Sequence, residues 1–405
     1  MKIISISSGE SITVRAGRFF DGHTLVQGES VDIVITGGII RELRPCYGGI
    51  PPEPAEDVKI LDLREYTVLP GLVDCHVHLA LDGRDFQKSL EMWAHKDLLD
   101  RRIRADLLKT LSAGVAALRD GGDREGIGLL VRDKVERGIM PGPRIRSAGM
   151  ALGKRGMYGS FLGPGLQGGR VRDAVKSLAG RGVDQIKVLV SGVVSFKSYR
   201  RVGGIQFGED QLKEIVWAAH SRGIRVMAHA SSDEAVRIAV RSGVDSLEHG
   251  YFISEQSLEA MAAADIPWVP TLAPVASQVR GWPRGRYSPE EREVIQKTYL
   301  RQQRMVKKAA DMGVKMGVGT DAGATGVTHG EGFLKELLLL EEAGLSRQEI
   351  LRAATVNGSF ILGLEREMGM IRPGLPPCLT AVRGNPLDNL NLLKNIEFMI
   401  LPRRG

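Results

Sequence analysis

The sequence predicts an α/β protein: a (β/α)8 TIM-type barrel with a small β-sandwich domain formed by both termini. Three observations predict it. From about Val68 to about Leu364, short apolar runs alternate with amphipathic helical stretches, the strand–helix–strand rhythm of a parallel sheet. Eight such runs can be counted, which suits closure into a barrel. The segments on either side are β-like, with Gly-rich turns and no long helical pattern. We therefore expect them to pair with each other. The N-terminal part of the sandwich spans 1–66, the barrel 67–366 and the C-terminal part 367–405.

Taken in order, residues 11–15 and 31–36 carry β-branched side chains, and Gly37-Gly38 and Gly48-Gly49 read as turns. Pro51-Pro52-Glu53-Pro54 is a loop. The eight expected barrel strands lie around 72–77, 115–119, 144–148, 184–190, 225–229, 245–249, 267–271 and 315–320. Between them, residues 210–220 set Leu212, Ile215, Val216 and Ala219 on one helical face, and Gly223 stops that helix. Residues 234–240 repeat the pattern, with Gly243 as the stop. A doubly wound open sheet is the alternative, but no GxGxxG opens a helix after the first strand. Beyond Leu364 the texture reverts: 370–374 is a turn, 379–382 a strand and 398–401 another.

Composition narrows the function classes. The 405 residues are 43% hydrophobic and 25% charged, which excludes disorder as the main state. Fifty glycines without a Gly-X-Y period imply many tight turns. Cys46, Cys75 and Cys378 are odd in number and widely spaced, so neither a disulfide framework nor a thiolate zinc site is expected. A reducing, cytoplasmic location follows. Residues 1–20 lack the apolar core of a signal peptide, and no run reaches the ~18–20 apolar residues of a membrane helix. The formal charge is +7, but the basic residues are scattered and form no long stripe. We read a solvated surface and expect neither a nucleic-acid nor a membrane partner.

Chemistry concentrates at strand ends. Of eight histidines, His76, His78, His229 and His249 stand where apolar strands finish. His76 and His78 are two apart, so on a strand they share a face. Alone they could equally be two independent, partly buried histidines. His229 and His249 are twenty apart, one βα unit, and in a barrel all four converge at the active-site face. Four imidazoles there would repel if charged and lack partners if neutral; a divalent metal resolves both. Asp321 ends the eighth strand and could be a ligand, a general base or a helix cap; facing imidazoles, it reads as ligand plus base. Lys187 sits inside the apolar run Gln185-Ile186-Lys187-Val188-Leu189-Val190. Burial makes its neutral amine accessible, and such an amine can react with carbon dioxide to give a carbamate that bridges two metals. The alternative is a lysine that snorkels to the rim.

At this point the chain resembles the amidohydrolase superfamily of metal-dependent hydrolases, over nearly its whole length. "GLVDCHVHL", "IKVLVSG", "VMAHA", "DSLEHG" and "GTDAG" follow one another in that family's order, and the tail from "LRAATVNGSF" to "NPLDNL" resembles its closing segment. "AHAxxxxAVxxAVxxGVxSxEHG" and "VPTLAP" are similar to the imidazolonepropionase-like and Xaa-Pro dipeptidase-like branch. The resemblance implies that His76, His78 and Asp321 hold the more buried metal, that His229 and His249 hold a second, and that Lys187 is the carboxylated lysine between them. Two divalent ions, zinc in expectation, and a carbon dioxide-derived carbamate are the implied cofactors; a homo-oligomer is implied without a number.

The implied reaction is hydroxide attack on the carbonyl of a C–N bond in a small molecule, such as a dipeptide, an N-acyl amino acid or a cyclic amide. Asp321 would move the proton to the leaving nitrogen. Alternatives are a mononuclear deaminase or imidazolone-ring hydrolase, a phosphotriesterase or lactonase, and a non-catalytic barrel scaffold. Lys187 argues against the mononuclear forms, and the complete ligand set against the scaffold. Tyr251, His329 and Tyr158 are candidate substrate contacts; each could also be structural. Arg200 and Arg201 read as an exposed pair, His220 as structural, and Asp120 as a support for the barrel or the site. Two departures lie at the expected mouth and bear on the substrate. Arg155-Gly156-Met157-Tyr158-Gly159 stands where the branch often has Gly-Gly-His-Gly, and Ser191-Gly192-Val193-Val194-Ser195 lacks the usual double glycine. "PPCLTAV", in place of an acidic "ADL" pattern, lies in the β-domain and bears on packing.

Overall fold

Val, Ile and Thr crowd the first seventy residues, and β-branched side chains favour a pleated, half-buried surface. That stretch forms β1 (Lys2–Ile6), β2 (Ser11–Phe20), β3 (Leu25–Val26), β4 (Val31–Thr36), β5 (Ile39–Pro45) and β6 (Lys59–Pro70) in the computed structural model, which describes residues 1–28, 30–46, 58–168, 170–281 and 285–403. The expected turn at 48–49 and loop at 51–54 lie outside the described residues. The central part of the chain supplies β7 (Leu72–Val77), β8 (Val115–Asp120), β9 (Arg144–Ser147), β10 (Ala151–Leu152), β11 (Gln185–Leu189), β12 (Arg225–Ala230), β13 (Ser246–His249) and β14 (Trp268–Val269). The last two strands are β15 (Leu379–Arg383) and β16 (Ile396–Pro402).

The two ends of the chain share one sheet, in the order β1-β16-β15-β6-β2-β4-β5, with β3 on β2. β1 runs parallel to β16, and β15 lies antiparallel between β16 and β6. Val14, Ile33, Ile35, Leu63, Val68, Leu379 and Ile400 form its apolar cluster. One buried ion pair, Arg15 to Asp32 at 2.8 Å, ties β2 to β4.

The central strands pair in parallel as β7-β8-β9 and β10-β11-β12-β13-β14. β7, β8, β11 and β13 are buried at every position, as parallel strands covered on both faces are. The sequence predicted a single eight-stranded barrel; the ladders instead form these two sheets, and the run at 315–320 forms no ladder of its own. Met316 bridges Trp268, and Ala322 bridges Val77. The segment nonetheless lies between β14 and β7: Gly317 N–H donates to Trp268 O at 2.9 Å, and Cys75 N–H to Val318 O at 2.7 Å. Its glycines explain both facts. A Cβ at Gly319 would stand 2.3 Å from Val269 and 3.0 Å from the His76 Cβ, so the backbone passes close to its neighbours, with little side chain to hold a regular ladder. Between β9 and β11, the Asp184 N–H donates to Ser147 O at 2.9 Å. The two-residue β10 is too short to leave a periodic pattern in the sequence.

Helices fill the connections. Ser232, Ser254, Ser288 and Ser346 each cap a helix by accepting from a first-turn backbone N–H. Gly223 and Gly243 adopt φ of 68° and 74° just past the helices Glu209–His220 and Asp233–Ser242, as a left-handed stop requires. Among the described residues, no helix is long and apolar enough to cross a membrane.

Candidate metal centre

Strand alternation and strand ends assemble the site. His76 lies on β7 and His78 immediately follows it; Lys187, His229 and His249 lie on β11, β12 and β13; Asp321 follows the bridging segment. Their side chains converge. The ring centroids of His76 stand 5.4 Å from His78 and 4.9 Å from His249, and His229 stands 4.6 Å from His249. Lys187 Nζ is 3.1 Å from His76 Nε2. Asp321 Oδ1 lies 3.4 Å from His78 Nε2 and 3.8 Å from His76 Nε2. Donor atoms of His76, His78 and Asp321 all fall within 4.8 Å of one another.

Each imidazole has its other nitrogen occupied. His76 Nδ1–H donates to Glu248 Oε2 at 2.8 Å, and His78 Nδ1–H to the Gly122 carbonyl at 3.2 Å. The His249 Nδ1 pairs with Thr271 Oγ1 at 2.7 Å. In these three rings Nε2 is left toward the centre. His229 is turned: its Nε2 meets the Gly192 carbonyl and Ser231 Oγ, both at 3.3 Å, leaving Nδ1. Such outer partners fix tautomer and ring orientation.

Burial sets the electrostatics. Loss of water, and then the nearby Lys187 ammonium, push His78 and His229 down to about 3; His76 and His249 lie well below the ordinary histidine value for the same first reason. Burial lowers Lys187 to about 8 and raises Asp321 to about 7. At neutral pH the cluster is thus four uncharged imidazoles, a lysine whose burial brings its neutral amine within reach, and a carboxyl ready to ionise. That donor set fits a divalent transition metal.

The backbone is bent to deliver it. His249, Thr271 and Asp321 all adopt left-handed φ, of 69°, 50° and 54°. Such geometry costs a non-glycine residue about 1–3 kcal/mol and is retained where the surroundings enforce it.

The other expected site residues lie around this cluster. Tyr158 borders the cavity, its ring 5.5 Å from that of His229, and burial raises its phenol. Tyr251 stacks on His249 at 5.6 Å and 7°. His329 is buried behind the site, its Nε2 2.9 Å from the Leu81 carbonyl. Asp120 holds the strand ends, accepting from Leu79 N–H, Gly122 N–H and Ser147 Oγ, and burial lifts it to about 7. His220 lies apart, bonded to Asp245 at 2.8 Å. The cavity holds about 170 Å³. Larger hollows of 460 and 770 Å³ lie elsewhere, lined by none of the four converging histidines.

Reading the sequence missed the charges beneath the converging side chains. Glu248 is fully buried, and accepts from Arg119 Nη2 at 2.7 Å and Ser246 Oγ at 2.7 Å as well as from His76. Asp74 accepts from the Thr320 hydroxyl at 2.7 Å and the Thr320 N–H at 3.0 Å, fixing the segment that carries Asp321. The signal was present: Arg119, Asp74 and Glu248 interrupt apolar strands just as Lys187 does, and an unpaired charge there is costly.

Comparisons with known proteins agree with this geometry. The amidohydrolase family profile matches residues 67–401. The chain is 26% identical to the ochratoxinase of Aspergillus niger over 361 residues, covering 81% of this chain and 72% of that protein. It is 24% identical to the imidazolonepropionase of Sphingopyxis alaskensis over 389 residues, 86% of each. A crystal structure of a Xaa-Pro dipeptidase with methionine in its active site is similar with a TM-score of 0.82 at 26% identity, covering 97% of this chain and 98% of that one. These matches imply a TIM-type barrel with a small accompanying domain. The chain belongs to the amidohydrolase family, within its imidazolonepropionase-like and Xaa-Pro dipeptidase-like branch, and is a hydrolase of carbon–nitrogen bonds.

Proposed function

We propose that the protein is a binuclear metal-dependent amidohydrolase acting on a C–N bond of a small molecule such as a dipeptide, an N-acyl amino acid or a cyclic amide. The observation that carries the reading is Lys187 Nζ, buried and 3.1 Å from His76 Nε2 amid four neutral imidazoles and Asp321. His76, His78 and Asp321 would hold one ion, and His229 with His249 the other. Lys187, as a carbamate, would lie between them; its lowered pKa favours the neutral amine that carbon dioxide needs. When bound, the ions, zinc in our reading, supply Lewis acidity and lower the pKa of water toward ~7.

The chain's own groups do the rest. Asp321 accepts the proton of the attacking water and returns it to the leaving nitrogen. Glu248 and Thr271 hold the His76 and His249 rings in place. The products are a carboxylate and an amine, or a ring-opened acid. A homo-oligomer in the cytoplasm, with no nucleic-acid or membrane partner, belongs to the same proposal. So do a closed (β/α)8 barrel over 67–366 and a sandwich from 1–66 and 367–405.

A mononuclear deaminase or imidazolone-ring hydrolase is the second reading, favoured by the tight His76, His78 and Asp321 group. Metal analysis separates the two: two ions per chain against one. Turnover tests the chemistry. Asp321→Asn should lose at least about 10²–10⁴-fold in kcat, the usual worth of a positioned proton-transfer group. A near-wild-type rate in that variant would sink the assigned role.

A further inference from the structure

The wall of the cavity speaks to what enters it. Tyr158, Leu162, Phe161, Leu81 and Phe86 line it, and ring contacts run from His229 to Tyr158, to Phe161 and to Phe86. The Phe161 ring meets Phe86 edge to face at 5.0 Å and Tyr158 at 6.0 Å. Phe86, at the N-terminal end of the helix Phe86–Met92, is 40% exposed. It thus leaves an aromatic face in water at the cavity's edge.

Charge is missing from the same wall. Among the described residues that line the cavity Lys187 is the one cation, and it faces His76. The guanidinium behind Leu81, that of Arg102, spends its donors on the carbonyls of Leu79, Ala80 and Leu81 and on Asp106. Beyond the Tyr158 phenol, a substrate carboxylate pressed against Leu162, Phe161, Leu81 and Phe86 would lose water without gaining a partner, which is costly. An aromatic ring would lose water and gain edge-to-face contacts.

We infer that the substrate is an amide bearing an uncharged aromatic ring, and that Phe161 and Phe86 select it. Free dipeptides and N-acyl amino acids, whose carboxylate would have to lie along this wall, are then poor substrates. The inference rests on the C–N hydrolase reading and narrows it.

Two nearly isosteric probes test it: 4-acetamidobenzamide and 4-acetamidobenzoate. They share the scissile bond and the ring, and differ in charge at the far end. Metal-loaded protein is assayed for release of the ring amine, and binding is measured in parallel by calorimetry, so a slow substrate still gives a readout. The neutral probe should be preferred by about tenfold or more in kcat/KM, or in Kd where turnover is absent. Phe161→Ala should weaken both probes by about tenfold with metal content unchanged. Thr325→Arg, which adds a guanidinium to the cavity lining, should shift the preference toward the benzoate. Equal or inverted preference in the wild-type protein overturns the inference, and so does failure to bind either probe. Hydrolysis of other amides by the same preparation would leave the C–N hydrolase reading standing in either case.

Discussion

Glu248 offers the sharpest test of how the site is held. It is fully buried and takes three hydrogen bonds, from Arg119, Ser246 and His76, at 2.7, 2.7 and 2.8 Å. Glu248→Gln keeps the shape and removes the charge. Two losses follow, and they are separable. The Arg119 guanidinium, itself buried, is left facing a neutral amide. Breaking one side of a buried ion pair costs about 3–5 kcal/mol. The remaining Ser246 and Cys75 carbonyl contacts to Arg119 place the expected cost at the lower end, about 3 kcal/mol. Second, His76 loses the acceptor that fixes its proton on Nδ1. Metal affinity should fall about 10–100-fold, or ~1.4–2.8 kcal/mol. Urea unfolding of the metal-free protein reads the first loss, and zinc titration against a competing chelator reads the second. Adding Arg119→Met to the variant should restore part of the stability and none of the metal affinity. Unchanged unfolding and unchanged zinc affinity in Glu248→Gln would refute the reasoning.

Further outcomes are expected. Asp321 must lose its proton to ligate, and its metal-free value is about 7; zinc affinity should therefore rise roughly tenfold from about pH 6 to about pH 8, as isothermal titration would show. Asp74, Asp120 and Asp321 are all raised to about 7 by burial, while His78 and His229 are lowered to about 3 and His76 and His249 lie well below the ordinary histidine value. Below about pH 6.5 the extra carboxyl protons of the folded metal-free chain are offset by the histidine protons of the unfolded chain, and above it the carboxyl excess remains. The chain's stability should be near level up to about pH 6.5 and fall as pH rises through about 7, which thermal unfolding across that range would reveal as a dropping Tm. Lys187→Met should reduce the metal count from two to one and abolish any carbamate signal after incubation with labelled bicarbonate; two retained ions would refute the bridge. Gly319→Ala drives a methyl to 2.3 Å from Val269 and 3.0 Å from His76, and should cost about 1–3 kcal/mol in unfolding and weaken zinc binding with it.

The convergence of the four histidines, Lys187 and Asp321 was legible in the sequence because few side chains of these types interrupt or end apolar strands. His76 and His78 show themselves by spacing, His229 and His249 by ending apolar strands, and Lys187 by standing inside one. Strand–helix periodicity located seven of the central strands because buried strands must be continuously apolar. The eighth run escaped a correct reading: Gly317 and Gly319 look like ordinary strand residues in one dimension, and their close approach to Val269 and His76 is a property of three. Arg119 and Glu248 were legible singly as charges in apolar runs, but their pairing joins residues 129 apart in sequence. Periodicity within one strand carries no record of the strand beyond its neighbour. The lining of the cavity was hidden for the same reason, since Phe86 and Phe161 come from loops and helix ends whose course no local pattern fixes.

The sheet that joins the two ends of the chain has a consequence during synthesis. β6 is paired with β2 on one side, but its other edge waits for β15, and β1 waits for β16. More than three hundred residues separate Pro70 from Leu379. At ribosomal speeds of about 5–20 residues per second, that edge stays open for about 15–60 s. An open edge is a template for another chain's strand. The nascent protein therefore carries this aggregation hazard while the central strands are being made, and sheds it when the last strands arrive. Chains that stop before residue 379 would keep it.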